Sequence, residues 1–307
     1  MYRAYGLTIR SAIPLPELAS GRGVGDVQIM LGAVPEDPGW RQAGPRLFGA
    51  AGMLRLGPVA RARMLASRGR RIVVQLGPGI ALAIVRPYLL GSGLGAILHQ
   101  RAVLPLHASV VETEHGCVAL MGHRGAGKST LAAFIASNGG VALADDICAV
   151  TFADGQPFAS PSRQRFKLAD DAAEHLGLDS SDAERLPGGK LLFALRTTDD
   201  DLPSALRAIF VLASAATGAV RRLDGTEALA ALVEYTFRPR HVVGLGIERE
   251  HLQRCAALAA TTPVYALSTV RDLSRLGDAA RFVASVASCS SFLDATRDER
   301  AAGAASS

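Results

Sequence analysis

Lysine is nearly absent from this chain. Of its 33 basic residues only Lys128, Lys167 and Lys190 are lysines, and the rest are arginines. For the chain as a whole this is a compositional bias. A chain with so few lysines can nevertheless keep one where a compact, rotatable ammonium is needed that a planar guanidinium cannot replace. Lys128 fits this interpretation, whereas for Lys167 and Lys190 the compositional explanation is favoured.

Cysteine is also sparse, and its distribution excludes a cysteine-rich metal site. The four cysteines do not have the spacing of metal ligands, and most of them lie among apolar or small residues. They are Cys117, Cys148, Cys255 and Cys289. We expect them to be reduced core residues, as is usual in a reducing compartment.

Long hydrophobic runs are missing as well. Residues 1–20 contain two arginines and two prolines and no apolar core of the kind found in signal peptides. The longest apolar stretch, residues 80–98, is interrupted by Arg86, Pro87 and three glycines. It therefore does not resemble a membrane span. We expect a cytoplasmic protein without a membrane partner.

A concentration of basic charge is missing too. The 28 acidic residues are interspersed among the basic ones, the formal net charge is +5, and no basic block or basic–aromatic stripe is present. This pattern argues against nucleic acid as a partner. Apolar residues make up 49% of the chain, which excludes global disorder, and the length of 307 residues suggests two domains.

The chain does contain a motif that binds phosphate. Residues 122–129 follow the pattern G-x-x-x-x-G-K-[ST], between an apolar run at 117–121 and an alanine-rich stretch at 131–137. These flanks predict a strand before the loop and a helix after it. Glycines let successive backbone N–H groups surround a phosphate, and the helix directs its positive end to the same place. The alternative is a glycine-rich turn without a ligand.

The motif predicts a nucleoside triphosphate site with defined roles. Lys128 is expected to reach the β- and γ-phosphates, and the Ser129 hydroxyl is expected to bind Mg²⁺. The side chains of His123 and Arg124 occupy variable positions of the motif, which usually point outwards. The residues expected to bind the nucleotide are Gly122, His123, Arg124, Gly125, Ala126, Gly127, Lys128, Ser129 and Thr130.

Two adjacent acids follow the next expected strand. Asp145 and Asp146 come directly after residues 141–144, which follow a helix expected at 128–138. A right-handed crossover would place both acids beside the loop. One carboxylate there can hold Mg²⁺, and the other can accept the proton of an attacking hydroxyl. The alternative is a turn with two solvated acids.

The first part of the chain predicts short strands separated by turns. We expect a small antiparallel β domain without a catalytic constellation, and a helix at 88–103 that joins it to the rest. The expected strands lie at 5–9, 27–30, 52–56 and 71–76, the last forming a hairpin with 80–85. We expect a β-rich domain at 1–95, a catalytic domain at 96–293 and a flexible tail at 294–307.

The remainder alternates strands and helices and predicts an α/β fold. A polar surface loop is expected at 179–189, and Thr226 is expected to cap one of the helices. The expected strands are 117–121, 141–144, 147–152, 208–212 and 264–267, and the expected helices are 128–138, 169–176, 226–235, 248–260 and 272–287.

Three features together resemble the HPr kinase/phosphorylase family in motif and spacing. They are His107, the loop and Ala144-Asp145-Asp146. The resemblance covers residues 107–150. It implies a P-loop kinase domain of the HPr kinase/PEP carboxykinase-like type that uses ATP and Mg²⁺. By this resemblance Asp145 is the catalytic acid/base, Asp146 lies near the metal with Ser129, and Lys128 and His107 line the phosphate site.

A second resemblance concerns the substrate. Residues 5–18 and Leu106-His107-Ala108-Ser109 are similar to HPr-kinase-like serine kinases of lasso-peptide biosynthesis, some of which phosphorylate the C-terminal serine of a precursor peptide. This implies a peptide or small protein bearing serine as the partner. The chain has no counterpart of the Glu-(Val/Ile)-Arg-Gly-Leu-Gly stretch of the bifunctional enzymes.

Alternatives to this serine kinase stay open. They are a kinase that also acts as a phosphorylase, a nucleotide-hydrolysing regulator without an acceptor, and a small-molecule kinase. The HPr family forms homo-oligomers. Because the front domain of this chain differs from that of the family, a homo-oligomer is a less direct expectation here.

Overall fold

The computed structural model describes residues 1–36, 39–59, 61–162, 166–185, 189–193, 202–214, 219–269 and 272–288. Within these residues the protein is a mixed α/β structure with two nine-stranded sheets and one three-stranded sheet. The expected tail, 294–307, lies outside the described residues.

The first nine strands form one sheet, called the front sheet. Its strands are β1 Tyr2–Ala4, β2 Leu7–Ser11, β3 Ala19–Ser20, β4 Val27–Leu31, β5 Arg41–Gly44, β6 Leu47–Ala50, β7 Met53–Val59, β8 Ala62–Ser67 and β9 Arg71–Leu76. They are ordered β3-β1-β2-β4-β9-β8-β7-β6-β5. Buried and half-buried residues alternate along β8, so one face of the sheet covers a core.

The front sheet is mixed, and the expectation of a purely antiparallel sheet was wrong. Strand β4 pairs in parallel with both β2 and β9. A hairpin turn can join only antiparallel neighbours, whereas a connection of a dozen or more residues lets the chain cross over. Residues 12–26 between β2 and β4 provide such a connection.

The hairpin expected at 80–85 is also absent, because a helix forms there instead. It comprises α1 Leu82–Tyr88, a π-helical turn at Leu89–Gly93 and α2 Leu94–Gln100. A short apolar run does not distinguish a strand from a buried helix. Here Val85 and the apolar residues that follow it pack into the core beneath the front sheet.

Within the described residues, Leu82–Gln100 is the one helix whose 19-residue length and mean hydropathy of 1.3 would suffice to cross a membrane. More than half of it, 56%, is buried inside the protein. Because the core helix of a soluble protein has the same length and composition, these properties are weak evidence for a membrane span.

The second nine-stranded sheet, called the rear sheet, positions the motifs. Its strands are β10 Leu104–Leu106, β11 Ala108–Thr113, β12 Gly116–Gly122, β13 Val141–Ala144, β14 Cys148–Ala153, β15 Gln156–Ser160, β19 Ser204–Ser214, β20 Ala219–Arg222 and β21 Val264–Thr269. The main path runs β10-β14-β15-β19-β12-β11-β13, and β21 pairs with β19 and β20.

Strand β11 is inserted between the strand that precedes the loop and the strand that precedes the acids. It pairs antiparallel with β12 on one side and with β13 on the other. Strands β12 and β13 therefore run in the same direction without being neighbours. Both the loop and the two acids consequently follow strands that end at the same edge of the sheet.

A small third sheet and five further helices complete the described structure. The sheet contains β16 Phe166–Leu168, β17 Glu184–Arg185 and β18 Leu191–Phe193, and the remaining α-helices after α3 Lys128–Ser137 are α4 Asp170–His175, α5 Gly225–Glu234, α6 Pro239–Leu245, α7 Glu248–Thr261 and α8 Leu276–Ser288. Short 3₁₀ turns lie at Ser180–Asp182 and Leu273–Arg275.

The cap of α5 differs from the expected one. Asp224 caps this helix in place of Thr226, because its carboxylate accepts a hydrogen bond of 2.8 Å from the backbone N–H of Glu227. The Glu227 side chain in turn accepts one from the backbone of Asp224, which completes a capping box. Helix α6, which follows α5, was not expected.

The front sheet and the rear part of the chain share one hydrophobic core. It contains front-sheet residues, helix 82–100, Ala149 of β14 and Leu245 of α6. The boundary expected between residues 95 and 96 falls within α2. Strand β6 also approaches α6 so closely that a Cβ on Gly49 would overlap the carbonyl oxygen of Gly244.

The described cysteines are free thiols in the core. Cys117, Cys148 and Cys255 are all buried. Burial raises the pKa of the Cys117 thiol to about 12, which keeps it in the neutral form. These residues occupy the core positions that the sequence indicated, and Cys289 lies outside the described residues.

Candidate functional site

The loop that matches the motif joins β12 to α3. Gly122, Gly125 and Gly127 have φ angles of 142°, 85° and 92°, a conformation that glycine adopts without the steric cost of a Cβ. No side chain caps the N-terminus of α3. The first backbone N–H groups of the helix are thus left without a side-chain acceptor, which suits an anion at this position.

Lys128 is folded back over the loop. Its Nζ donates hydrogen bonds to the carbonyl oxygens of Gly122, at 2.7 Å, and His123, at 3.2 Å. Burial lowers the pKa of Lys128, and the negative charges of Asp145 and Asp146 oppose this effect. The ammonium is therefore anchored at the centre of the loop and lies within the field of both acids.

Asp145 is a buried carboxylate held by three donors. Its Oδ1 accepts hydrogen bonds from Ser109, at 2.6 Å, and from Ser129, at 2.9 Å. Its Oδ2 accepts a longer one of 3.3 Å from the backbone N–H of Lys167. Only 4% of Asp145 is exposed. The hydrogen bond from Ser129 connects the first turn of α3 to the end of β13.

Asp146 faces a different set of groups. The Nδ1 of His107 lies 3.2 Å from its Oδ1 and 3.1 Å from its carbonyl oxygen, and the Nζ of Lys167 lies 3.9 Å from its Oδ2. Burial alone would raise the pKa of Asp146. The hydrogen bond from His107 and the positive charge of Lys167 outweigh burial and hold that pKa below its ordinary value.

The backbone of Asp146 adopts an uncommon conformation. Its φ of 77° lies in the left-handed region, which non-glycine residues rarely occupy. Backbone conformations of this kind cluster at functional sites, where the surrounding structure enforces them. Here the left-handed turn lets two consecutive acids face different partners.

All three lysines of the chain line one cleft of about 1000 Å³. Besides Lys128, Lys167 and Lys190, the lining contains His107, Arg124, Gly125, Ala126, Gly127, Ser129, Thr130, Asp145 and Asp146. Most of the expected site residues thus meet in one place. Lys167 and Lys190, for which the compositional explanation was favoured, lie there too.

Two expected residues are placed differently. The backbone carbonyl of Gly122 is occupied by Lys128, and the residue does not line the cleft. The His123 side chain turns away to pair with Glu234 at 3.3 Å and to stack edge-on against Tyr235. It is 78% exposed. The structure therefore does not bring the His123 side chain to the cleft.

Tyr5 of the front sheet approaches the acids, which the sequence did not indicate. It lies in the turn between β1 and β2, with a φ of 56°, and its backbone N–H donates to the carbonyl of Pro161 at 2.8 Å. Burial and the negative charge of Asp146 raise the pKa of its phenol. The front sheet therefore contributes a side chain to the surroundings of the acids.

Arg238 is a second residue that sequence reasoning missed. It precedes α6 with a φ of 55°, and its guanidinium lies 5.5 Å from the ring centroid of Phe237. That ring lies 6.3 Å from the ring of His107. The positive charge of Arg238 contributes to the low pKa of Asp146. In a chain with so many arginines, no local signal distinguishes this one.

The cleft contains oxygen donors of the kind that Mg²⁺ prefers. This ion usually takes one or two carboxylates and completes its octahedral shell with phosphate oxygens and water. The hydroxyl of Ser129 and the carboxylate of Asp145 provide such a partial set. The described residues contain no group of three or more His, Cys, Asp or Glu side chains able to hold a metal without other ligands.

Comparison with known proteins finds a weak structural likeness and no sequence match. No family model matches the sequence, and no curated protein matches it. Among solved structures, the HPr(Ser) kinase/phosphatase from Coxiella burnetii is similar over 59% of this chain and 94% of its own, with 10% identity and a TM-score of 0.32. A likeness of this size carries no conclusion about activity.

Proposed function

We propose that this protein is a kinase that transfers the terminal phosphoryl group of ATP to a serine hydroxyl of a peptide or small protein. The observation that carries this proposal is the hydrogen bond between Ser129 and Asp145. It joins the first turn of the loop helix to the twin acids inside one cleft. We place the domain in the HPr kinase/PEP carboxykinase-like type because of the sequence resemblance over residues 107–150.

The nucleotide would lie along the cleft. Its phosphates would meet the loop, the uncapped start of α3 and the ammonium of Lys128. Beyond the loop the cleft is lined by Val220 of β20 and by Leu276 and Phe282 of α8. These apolar side chains would contact the base, and the cleft volume of about 1000 Å³ suits a nucleotide with part of an acceptor.

Ser129 and Asp145 are the residues we propose to hold Mg²⁺. Bound there, the ion would neutralise charge on the phosphates and orient the terminal one. The sequence resemblance paired Ser129 with Asp146 for this role and made Asp145 the acid/base. The hydrogen bond from Ser129 to Asp145 favours an exchange of the two roles.

Asp146 is then the residue we propose to accept the proton of the serine hydroxyl. It is the more exposed of the two acids and is held in place by His107. Its lowered pKa keeps it ionised at neutral pH, so it can accept a hydrogen bond from a neutral hydroxyl. Lys128, Lys167 and Arg238 provide positive charge around the transferring group.

The acceptor we propose first is the C-terminal serine of a lasso-peptide precursor. This choice rests on the sequence similarity of residues 5–18 and 106–109 to serine kinases of that biosynthesis. From the same sequence similarity we propose that the protein acts in the cytoplasm, where ATP and precursor peptides are available. We propose a homo-oligomer only because the HPr family, which the sequence resembles, forms homo-oligomers.

The test is intact mass spectrometry of serine-terminated precursor peptides after incubation with the protein, ATP and Mg²⁺. We expect the peptide to gain one phosphate mass, which fragmentation locates at serine. We expect no gain when ATP is replaced by a non-hydrolysable analogue. ATP turnover without a labelled acceptor would favour a regulator. Pyrophosphate formed from phosphorylated peptide and inorganic phosphate would add a phosphorylase activity.

A further inference from the structure

A second cleft of about 640 Å³ lies between the front sheet and the start of α6. Its apolar part includes Leu47, Leu56 and Met64 from three successive strands of the front sheet, together with Tyr88 at the end of α1. Among the described residues it shares no lining residue with the cleft that contains the loop. It is therefore a separate site on the molecule.

Three arginines line this cleft. They are Arg46, at the turn before β6, and Arg238 and Arg240, at the start of α6. No acidic side chain lines the cleft, and among the described residues none forms an ion pair with these three arginines. Three positive charges around one cleft that has no acidic lining residue favour an anionic ligand. The planar fork of a guanidinium matches a carboxylate.

A buried histidine at the same cleft also has an unused polar atom. His241 is 3% exposed, and its Nδ1 has no hydrogen-bond partner in the described structure. Burial and the nearby charges lower its pKa well below the ordinary value, so the ring is neutral. An unsatisfied buried nitrogen is costly. This nitrogen is closed off from solvent, so it lies behind the wall of the cleft and is not one of the contacts of the proposed ligand.

Arg238 connects this cleft to the acids. It lines the cleft, and its positive charge acts on Asp146. The ring of Phe237 is a common neighbour, since its centroid lies 5.5 Å from the Arg238 guanidinium and 6.3 Å from the centroid of the His107 ring. Arg238 is therefore the residue through which a peptide in the second cleft would lie near the acids.

We propose that the second cleft binds an acidic segment of the acceptor peptide, a proposal that rests on the kinase function proposed above. Carboxylates of the peptide would pair with Arg46 and Arg240, and an apolar side chain next to them would contact Leu47 and Leu56. The concave shape and apolar floor favour a peptide over nucleic acid, whose phosphates are contacted by extended basic surfaces.

The test uses binding of a fluorescently labelled peptide, because binding does not require transfer. One synthetic peptide carries two glutamates and a leucine before a C-terminal serine, and a second has glutamines in place of the glutamates. The protein variants are Arg46→Gln/Arg240→Gln and, as a matched control, Arg249→Gln, whose side chain is exposed on α7 outside both clefts.

We expect the wild type and the Arg249→Gln control to bind the acidic peptide at least about tenfold more tightly than the glutamine peptide. The double variant should lose this preference while its thermal unfolding and its affinity for ATP stay unchanged. Equal binding of both peptides by the wild type, or an unchanged preference in the double variant, would overturn the proposal. So would arginine-dependent binding of an RNA oligonucleotide or anionic vesicles without a preference between the peptides.

Failure of this proposal and failure of the kinase function are distinguishable. If the acidic peptide binds through Arg46 and Arg240 but no peptide gains phosphate, the cleft assignment stands and the transfer reaction fails. If peptides gain phosphate with equal KM for the acidic and glutamine sequences, the kinase function stands and the cleft assignment fails. In the case where both hold, the double variant should raise KM for the acidic peptide and leave kcat unchanged.

Discussion

The Oγ of Ser129 lies 2.9 Å from the Oδ1 of Asp145, and this contact joins two segments that are 16 residues apart in the chain. The same carboxylate oxygen also accepts a hydrogen bond from Ser109 on the inserted strand β11. Asp145 is thus fixed by groups from the loop helix and from the neighbouring strand. Asp146 remains closer to solvent and faces His107, which gives the two acids different chemical positions.

Exchange of either acid for its amide should separate the two roles. We expect Asp145→Asn to raise the Mg²⁺ concentration needed for half-maximal activity, because the ion loses a charged ligand. We expect Asp146→Asn to leave that concentration unchanged and to lower kcat by about 10²–10⁴-fold, the usual contribution of a general base. Steady-state rates over a Mg²⁺ titration provide the measurement. The opposite pattern would restore the assignment made from the sequence.

Removal of the ammonium at Lys128 should slow transfer strongly. Lys128→Ala loses both hydrogen bonds to the loop carbonyls and the positive charge near the phosphates, so we expect kcat to fall by about 10²–10³-fold and ATP to bind more weakly. Calorimetric titration with ATP and the transfer assay measure the two effects. Arg249→Gln removes an exposed charge elsewhere and is the control. Wild-type turnover by Lys128→Ala would contradict the proposed site.

The close approach of β6 and α6 predicts a large effect from a single methyl group. Gly49→Ala places a Cβ against the backbone of Gly244, which cannot move away as a flexible side chain could. We expect a loss of about 1–3 kcal/mol in the free energy of unfolding, measured by denaturant titration. Gly225→Ala, with no atom within 4 Å of the new Cβ, should change it by less than about 1 kcal/mol. Equal effects would refute this packing.

Stability should fall as the pH is lowered below neutrality. Burial lowers the pKa of His99 to about 4, and the pKa values of His241 and His251 are lowered as well. In the unfolded chain a histidine binds its proton near pH 6.5. Since the unfolded state takes up protons first, stability is retained above that pH and decreases as the pH falls towards 4.

For His99 alone we expect a loss of about 2 kcal/mol in the free energy of unfolding between pH 7 and pH 5. Denaturant titrations at the two pH values give the difference. His99→Gln should reduce it while retaining a donor for the carbonyl of Phe237. Replacement of the half-exposed His115 by Gln should not reduce it. A pH-independent stability in this range would show that the buried histidines titrate normally.

The local features of the rear sheet could be predicted from the sequence because they depend on neighbouring residues. An apolar run, a glycine-rich turn and an alanine-rich stretch predict β12, the loop and α3 without knowledge of the rest of the chain. The strand at Val141–Ala144 and helix α7 follow from the same reasoning. The candidate site residues on these elements, Lys128, Ser129 and the two acids, were proposed in this way, and all four line the same cleft.

Long-range pairing could not be predicted in the same way. The insertion of β11 depends on hydrogen bonds between segments about 30 residues apart, and hydrophobic pattern does not choose the partner of an apolar strand. Ser109 looks like one more small residue in that strand. Tyr5 and Arg238 reach the acids through contacts between the front sheet, α6 and the rear sheet. The helix at 82–100 has an apolar start that also suits a strand.

Strand β11 holds β12 and β13 two strand spacings apart, about 10 Å, so the span from the loop to the acids is set by backbone pairing and not by side-chain length. Residues added to the turn at 114–115 leave this span unaltered. One residue added within β11 would reverse the faces of the residues beyond it and turn Ser109 away from Asp145. Natural relatives should therefore differ in length at that turn and never inside the strand.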